Sequence, residues 1–462
     1  MIGESANSPT ESISSVDQVL APRRLVMVLK VGGSLLREKE GIHRIAGKLK
    51  MATLDGGTVL VVVSALSGVT DMLFELYEQK DRARFEELRG QIVDLHLSVD
   101  PAGEATRKAI DLFIESSEVM FKSEGIGASY STADSLVSYG ERISAHILCS
   151  LLQRDGVRAE VLDALRAVFL DSEGRPDMAR INREVENVIS LSKDREILII
   201  PGFYASDQDG RTKLLGRGGS DYTAVLLASA LGSARLEYWK DVDGVLSADP
   251  DVIPSPLKYE RISKSLLDVM TLSGSRIIQN KAIQAFDPEK MRICIRGTNG
   301  GSGTMIVNDC EGAFSVSHVE SILAFRLNLE RYEDKGCFLN GIQSFLASEG
   351  LMELCYWNSS SDILYVIESP VEPEMAGRIS RIAKNLDLQE IPLDHSKGIL
   401  VLVEDSPFKD SALSAADAVY MENAGGPVGS SKWGRLYPCS NGQLYELMKI
   451  IHLSVASLRG AS

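Results

Sequence analysis

Short runs of β-branched and aliphatic residues alternate with stretches of helical spacing from Leu25 onward, and this alternation constrains the fold more than any other feature. Leu25–Val31, Thr58–Ser64, Ala159–Asp163, Glu196–Ile200, Arg235–Trp239 and Arg292–Arg296 are short and rich in Val, Ile or Leu, and read as buried strands. Between them lie amphipathic stretches such as Glu38–Met51, Thr70–Gln79, Ala105–Phe121, Ala133–Gln153, Tyr222–Leu231 and Ser275–Phe286. A strand buried on both faces needs helices above and below it, so the pattern predicts an α/β fold with a mainly parallel sheet. In such sheets ligands gather beyond the carboxyl ends of the strands. The residues that end each apolar run are therefore the first candidates for function.

Charge and length narrow the classes further. The 462 residues carry 49 Lys and Arg against 64 Asp and Glu, a formal net charge of −15, and at roughly 100–200 residues per domain they suit about three domains. Such a balance repels phosphate backbones and anionic lipid, and no compensating basic patch is present, so neither nucleic acid nor membrane is expected as a partner. The longest apolar runs, around Val59–Val63 and Ile197–Ile200, fall far short of the roughly 18 residues a membrane helix needs. Six dispersed cysteines form no C-x-x-C pair and read as idle thiols in a reducing, cytoplasmic compartment. Residues 1–24 are polar and Ser-rich, lack an apolar core, and read as a solvated tail rather than a secretory leader.

Two strand ends carry early signals. After Leu25–Val31 come Gly32, Gly33 and Ser34, which let a backbone approach a phosphate, and Lys30 is a charge at the end of an apolar strand that needs an anionic partner. After Val61–Ser64 come Gly68, Val69, Thr70 and Asp71, where Thr70 either caps a helix or meets a ligand carboxylate. Tyr139-Gly140-Glu141-Arg142 lies in a stretch of helical spacing, where a lone Glu is ordinarily solvated. The most informative segment is Gly210–Ala224. Gly216, Gly218, Gly219, Arg217 and the Ser220-Asp221 pair stand directly before a small-residue helix, presenting backbone donors and a guanidinium to an anion. Next, Tyr238-Trp239-Lys240-Asp241-Val242-Asp243-Gly244 leaves a strand and Ala248-Asp249-Pro250 follows, a set of charges suited to a nucleotide and its magnesium.

Together these residues resemble the aspartate kinases of the amino acid kinase family. Arg217-Gly218-Gly219-Ser220-Asp221-Tyr222-Thr223-Ala224 is similar to the family's most specific motif, and Asp241-Val242-Asp243-Gly244 with Ala248-Asp249-Pro250 to the next; neither a G-x-x-x-x-G-K-S/T loop nor an H-R-D loop is present. The resemblance implies an αβα sandwich at residues 25–309 that transfers the γ-phosphoryl group of ATP, with Mg²⁺ carried by the nucleotide, to the side-chain carboxylate of L-aspartate. That is the first step toward lysine, threonine and methionine. It further implies that Lys30, Gly32, Gly33, Ser34, Lys240, Asp241, Asp249 and Arg276 bind nucleotide. Ser64, Thr70, Glu141, Arg217 and Ser220 would shape the amino acid pocket, and Lys30, Arg217 and Asp221 would be catalytic. A carboxylate is already a nucleophile, so catalysis reduces to bringing two anions together and neutralising the charge between them. Departures from the family pattern fall at Ser34-Leu35, Lys213, Lys240, Asp251 and Arg276. They keep open a related carboxylate kinase with another amino acid acceptor, and a non-catalytic nucleotide- or amino-acid-binding regulator is the third reading.

The remaining third alternates again. Asp309–Val316 reads as a linker. Ile322–Leu327, helix-like Cys337–Glu349, Leu351–Trp357, Ile363–Ile367 and helical Pro373–Leu386 then follow the β-α-β-β-α order of a ferredoxin-like unit. The family resemblance suggests two ACT regulatory domains, at 316–391 and, more divergent, at 396–460. An amino acid effector there and a homo-oligomeric state are the partners it implies.

Overall fold

The computed structural model describes residues 26–310 apart from 38, 53–57, 124–129, 192–196, 217, 233–234, 273–274 and 276, and beyond them the strands named below and most of 445–453. The tail at 1–24 and the helices expected at 337–349 and 373–386 lie outside the described residues.

The chain opens with β1 (Val26–Val31), α1 (Gly33–Leu36), α2 (Lys39–Ala52) and β2 (Thr58–Val63). A helical excursion follows: α3 (Val69–Glu78), α4 (Arg82–Val99), α5 (Glu104–Ser123), α6 (Tyr130–Val137) and α7 (Tyr139–Arg154). It returns through β3 (Ala159–Val161), α8 (Met178–Leu191) and β4 (Ile197–Pro201) to a hairpin of β5 (Tyr204–Ser206) and β6 (Thr212–Leu214). Next come α9 (Gly219–Ala230), β7 (Arg235–Lys240) and a second hairpin of β8 (Val245–Leu246) and β9 (Lys258–Tyr259). The unit closes with β10 (Arg261–Ser263), α10 (Lys264–Leu272), α11 (Asn280–Ala285), β11 (Arg292–Gly297) and β12 (Thr304–Val307).

Eight of these strands form one sheet in the order β10-β12-β11-β7-β1-β2-β4-β3, parallel except where β12 runs against β11. Period-two alternation divides its side chains between two cores. Val28, Leu60, Val62, Leu198, Ile200, Leu236 and Tyr238 pack against α8 to α11, whereas Leu29, Val31, Val59, Val61, Val63 and Ile199 pack against α2 to α5 and α7. The same alternation puts Lys30 with Val28 on the α9 side. No helix among the described residues is long and apolar enough to cross a membrane.

The single helix expected at Ala133–Gln153 is two, α6 and α7, broken at Ser138. The break lets the first turn of α7 reach the β2–α3 loop, where a Cβ on Gly140 would lie 2.8 Å from the Ala65 Cβ. Glu141, on an isolated helix a surface residue, is buried there.

Beyond residue 310 the strands are β13 (Ala313–Val319), β14 (Ile322–Asn328), β15 (Glu353–Asn358), β16 (Asp362–Glu368), β17 (Gln389–Ile391), β18 (Lys397–Asp405), β19 (Gly429–Ser430) and β20 (Gly434–Ser440). One antiparallel sheet has the order β15-β16-β14-β17, the arrangement of a ferredoxin-like unit; the other is β13-β18-β20-β19. The linker expected at Asp309–Val316 is corrected by β13, which begins inside it. This strand pairs with β18 from Ala313↔Asp405 to Val319↔Ile399, so the second sheet takes one strand from before the first. Local sequence cannot reveal a partner so far along the chain.

Candidate active site

Lys30 ends a strand whose other side chains are apolar, and a buried ammonium there requires a partner. Asp221 in the first turn of α9 provides it: Lys30 Nζ lies 2.7 Å from Asp221 Oδ1, and both side chains are almost fully buried. The second oxygen, Oδ2, accepts the backbone N–H of Gln279 at 3.2 Å. Tyr238 on β7 donates its hydroxyl to the Asp221 carbonyl at 3.1 Å. Burial pushes the Asp221 carboxyl up, and the charges of Lys30 and Lys240 outweigh this and hold it below its ordinary value. Lys240 ends β7, the neighbour of β1, with Tyr238 one step back on the same face. Burial draws its ammonium down, opposed by Asp221 and reinforced by Lys30. Two lysines thus flank one buried carboxylate at the carboxyl ends of the central strands β1 and β7, with Asp241 beside Lys240, and such cations suit a phosphate.

The turn after β1 is shaped by contact. Gly32 N–H donates to the Trp239 carbonyl at 3.3 Å, and Gly33 accepts from Ser67 N–H at 3.3 Å. A Cβ on Gly33 would sit 2.3 Å from the Ala65 carbonyl oxygen, whereas one on Gly32 would meet nothing closer than 3.7 Å. Gly33→Ala is therefore expected to destabilise the protein by about 1–3 kcal/mol, the range for overpacking, and Gly32→Ala by much less. Denaturant unfolding of the two variants checks this. Ser34, expected with the phosphates, is exposed on α1.

Across the loop from this turn, Glu141 Oε1 accepts the backbone N–H of Ala65 at 3.1 Å. Its Oε2 is buried with no hydrogen-bond partner among the described residues. Burial pushes the carboxyl up to about 8, against the pull of the Ala65 and Glu141 backbone N–H groups and the Lys30 charge. An unpartnered carboxylate oxygen in a buried position is a ready receptor for an ammonium group. Ser64 directly precedes Ala65 and is half-buried. Thr70 is the second residue of α3 rather than its cap: the N-cap is Gly68, at φ 87°, with no side-chain capping bond. Ser220 is buried at the start of α9, and a Cβ on Gly202 would lie 2.8 Å from the Ser220 Cα.

Sequence reading passed over Phe203, which the fold makes notable: at φ 76° it is the one positive-φ residue other than glycine among those described. For an aromatic side chain this is strain, which persists only where the surroundings enforce it. Gly202 N–H bonds the Val63 carbonyl at 2.9 Å and Leu215 N–H bonds the Phe203 carbonyl at 2.8 Å, tying β2, β4 and the loop before α9 together. Gly202, directly after the Ile197–Pro201 run, was the only sequence signal for it.

The acidic residues beyond β7 divide by role. Asp241 is exposed at the strand end. Asp249, expected at the nucleotide, spends Oδ1 on the N–H of Asp251 at 2.9 Å, a turn-forming bond. Asp243 binds the Lys258 ammonium and accepts Gly297 N–H at 3.1 Å. Lys213 on β6 pairs with Asp134 of α6 at 3.2 Å. Arg217 and Arg276 lie outside the described residues. The structure thus brings Lys30, Gly32, Gly33, Asp221 and Lys240 together at the carboxyl ends of the central strands β1 and β7, with Glu141 and Ser64 beside the glycine turn.

The amino acid kinase family profile matches residues 26–297. Lysine-sensitive aspartokinase 3 of Escherichia coli (strain K12) is 30% identical over 261 residues, a match spanning 55% of this chain and 57% of that protein. An aspartokinase of Helicobacter pylori (strain ATCC 700392 / 26695) is 27% identical over 319 residues, 67% of this chain and 68% of its own length. Among solved structures, E. coli aspartokinase III in complex with aspartate and ADP (R-state) aligns with a TM-score of 0.73 at 19% identity, covering 94% of this chain and all of that one. At that identity the likeness speaks to the fold. Since the profile runs from the first strand of the eight-stranded sheet to β11, the chain belongs to the amino acid kinase family.

Proposed function

We propose that the protein is an ATP-dependent aspartate kinase, phosphorylating the side-chain carboxylate of L-aspartate to 4-phospho-L-aspartate on the way to lysine, threonine and methionine. The observation that carries this reading is the pairing of two buried features: the Lys30–Asp221 ion pair with Lys240 beside it, and the Oε2 of Glu141 across the glycine turn, without a hydrogen-bond partner among the described residues. One suits the phosphates of MgATP and the other an amino acid's ammonium. The relatives named aspartokinase support the same reading.

In this mechanism Glu141 grips the substrate ammonium, and Arg217, Ser64, Thr70 and Ser220 complete the acceptor pocket. Lys30, Gly32 and Gly33 hold the phosphates, with Ser34, Lys240, Asp241, Asp249 and Arg276 on the nucleotide side and Mg²⁺ arriving with ATP. A side-chain carboxylate oxygen of aspartate attacks the γ-phosphorus. The bond from that phosphorus to the β–γ bridging oxygen breaks, and its electron pair leaves with ADP. No proton need move in this step. Lys30, oriented by Asp221, and Arg217 offset the charge that gathers as the two anions meet. The two sheets beyond residue 310 are read as ACT-like units that bind an amino acid effector and join copies of the chain in a cytoplasmic homo-oligomer.

The test is to incubate the protein with MgATP, hydroxylamine and a panel of amino acids, and to measure hydroxamate and ADP. Hydroxamate with aspartate is the expected result. Hydroxamate with a different acid moves the acceptor assignment, and neither product with any acceptor overturns the kinase reading.

A further inference from the structure

Ser247 joins three distant parts of the chain. It is fully buried just after β8, and it directly precedes Ala248-Asp249-Pro250. Its N–H donates to the Leu257 carbonyl and its hydroxyl oxygen accepts the Leu257 N–H, both at 2.8 Å. Its carbonyl accepts the N–H of Val316 on β13 at 2.9 Å. Its hydroxyl also lies 2.8 Å from His452 Nε2, across a sequence separation of 205 residues. Every polar atom of Ser247 is thus engaged. Two of its three partners belong to the carboxyl third, because β13 is a strand of the second sheet there and His452 lies on a C-terminal helix, described over 448–453, that buries Met448 and Ile451.

What Ser247 holds leads to the nucleotide side. Leu257 is followed by β9, where Lys258 pairs with Leu246 and Tyr259 with Val245. The Lys258 ammonium binds Asp243 and reaches Ser302 Oγ at 3.3 Å. Asp243 accepts the N–H of Gly297, the register partner of Lys240 at the end of β7. Val245 N–H is fixed to Thr304 Oγ1 at 2.8 Å. The β8–β9 hairpin is therefore locked at one end to the C-terminal helix and at the other to the strand ends that carry Lys240. The Ser247–His452 and Val245–Thr304 links are buried, the Asp243–Gly297 link is half-buried, and those made by the Lys258 ammonium are exposed.

We infer that Ser247 and His452 form a positioning pair through which the C-terminal helix sets the geometry of the nucleotide-side hairpin, so that nucleotide affinity depends on this one hydrogen bond between distant segments. The inference rests on the reading of the β7–β11 edge as the nucleotide side. It goes beyond that reading by making a specific residue near the end of the chain part of the nucleotide site's support.

The experiment uses the full chain and measures MgADP binding by calorimetry in the wild type, Ser247→Ala, His452→Ala and the double variant, with aspartate binding measured alongside. Each single variant is expected to weaken MgADP about tenfold, within the range of ordinary coupling between sites. The double variant should be no weaker than Ser247→Ala, because that change already removes the His452 link together with the acceptor of the Leu257 N–H. Aspartate affinity should change less than twofold. Hydrogen exchange at residues 243–259 should rise in both single variants, a readout available even where a variant loses stability. Unchanged MgADP affinity, fully additive losses, or equal losses for MgADP and aspartate would overturn the pairing. Failure of the wild type to bind MgADP would overturn the nucleotide reading and this inference together, so the two failures are told apart by the wild-type arm.

Discussion

Lys30→Met is expected to lower turnover by about a thousandfold and, separately, to destabilise the protein by about 3–5 kcal/mol. The first effect follows from removing the cation that the proposed mechanism aims at the phosphates, for which losses of about 10²–10³ are typical. The second follows from leaving Asp221 ionised and buried without its ion-pair partner. The two effects separate in the double variant Lys30→Met/Asp221→Asn. The asparagine amide oxygen can still accept the Gln279 N–H that Asp221 Oδ2 accepts now, and the two charges of the ion pair are removed together, with Asp241 remaining beside Lys240. Urea unfolding should show most of the lost stability restored, while steady-state turnover stays near that of the single variant. Recovery of turnover to within tenfold of the wild type would show that Lys30 serves only to neutralise Asp221.

Glu141→Gln is expected to abolish amino acid binding, weakening it at least about a hundredfold, while making the unliganded protein more stable at pH 8. The carboxyl stands at about 8 when folded, against an ordinary value of 4.5, chiefly because burial disfavours its charge. Between those two values the folded chain keeps a proton that the unfolded chain has released. Stability therefore falls as pH rises through that window, and levels off above about 8. The glutamine cannot ionise, so its advantage should be on the order of a few kcal/mol at pH 8 and vanish near pH 4.5. Thermal unfolding of both proteins across that range checks the sign. Binding gives a second readout. An ammonium brought against Glu141 favours the ionised form, so at pH 7 the wild type should release up to one proton as the amino acid binds. Calorimetric heats in buffers of different ionisation enthalpy report that release. Equal heats in all buffers, with parallel stability curves for the two proteins, would mean that Glu141 is already ionised in the free protein.

Six strands of the eight-stranded sheet were legible as short runs rich in Val, Ile or Leu, and burial on both faces leaves no alternation to confuse the reading, whereas β10 and β12 are not among the strands the sequence predicts. Lys30 was legible as a charge that ends such a run and must find a partner. The choice of partner was not, since Asp221 is brought to it only by the packing of α9 on β1 and β7. Glu141 shows the limit most plainly. Its sequence neighbours describe an ordinary helix, and its burial depends on a break at Ser138 and on Gly140 meeting Ala65 from a different segment. Phe203 carried almost no signal, because backbone strain is imposed by neighbours and has no residue pattern of its own.

Sequence alone therefore determined the layers, the parallel strands and the segments that end at the functional edge, since these follow from periodicity and composition over a few residues. Tertiary structure alone decided which charges pair, which carboxylate oxygen is buried without a partner among the described residues, and that β13 and His452 close on elements far away in the chain. The physical reason is range. Propensity and hydrophobic patterning act within one element, whereas desolvation and hydrogen bonding depend on what the folded chain brings within a few ångströms.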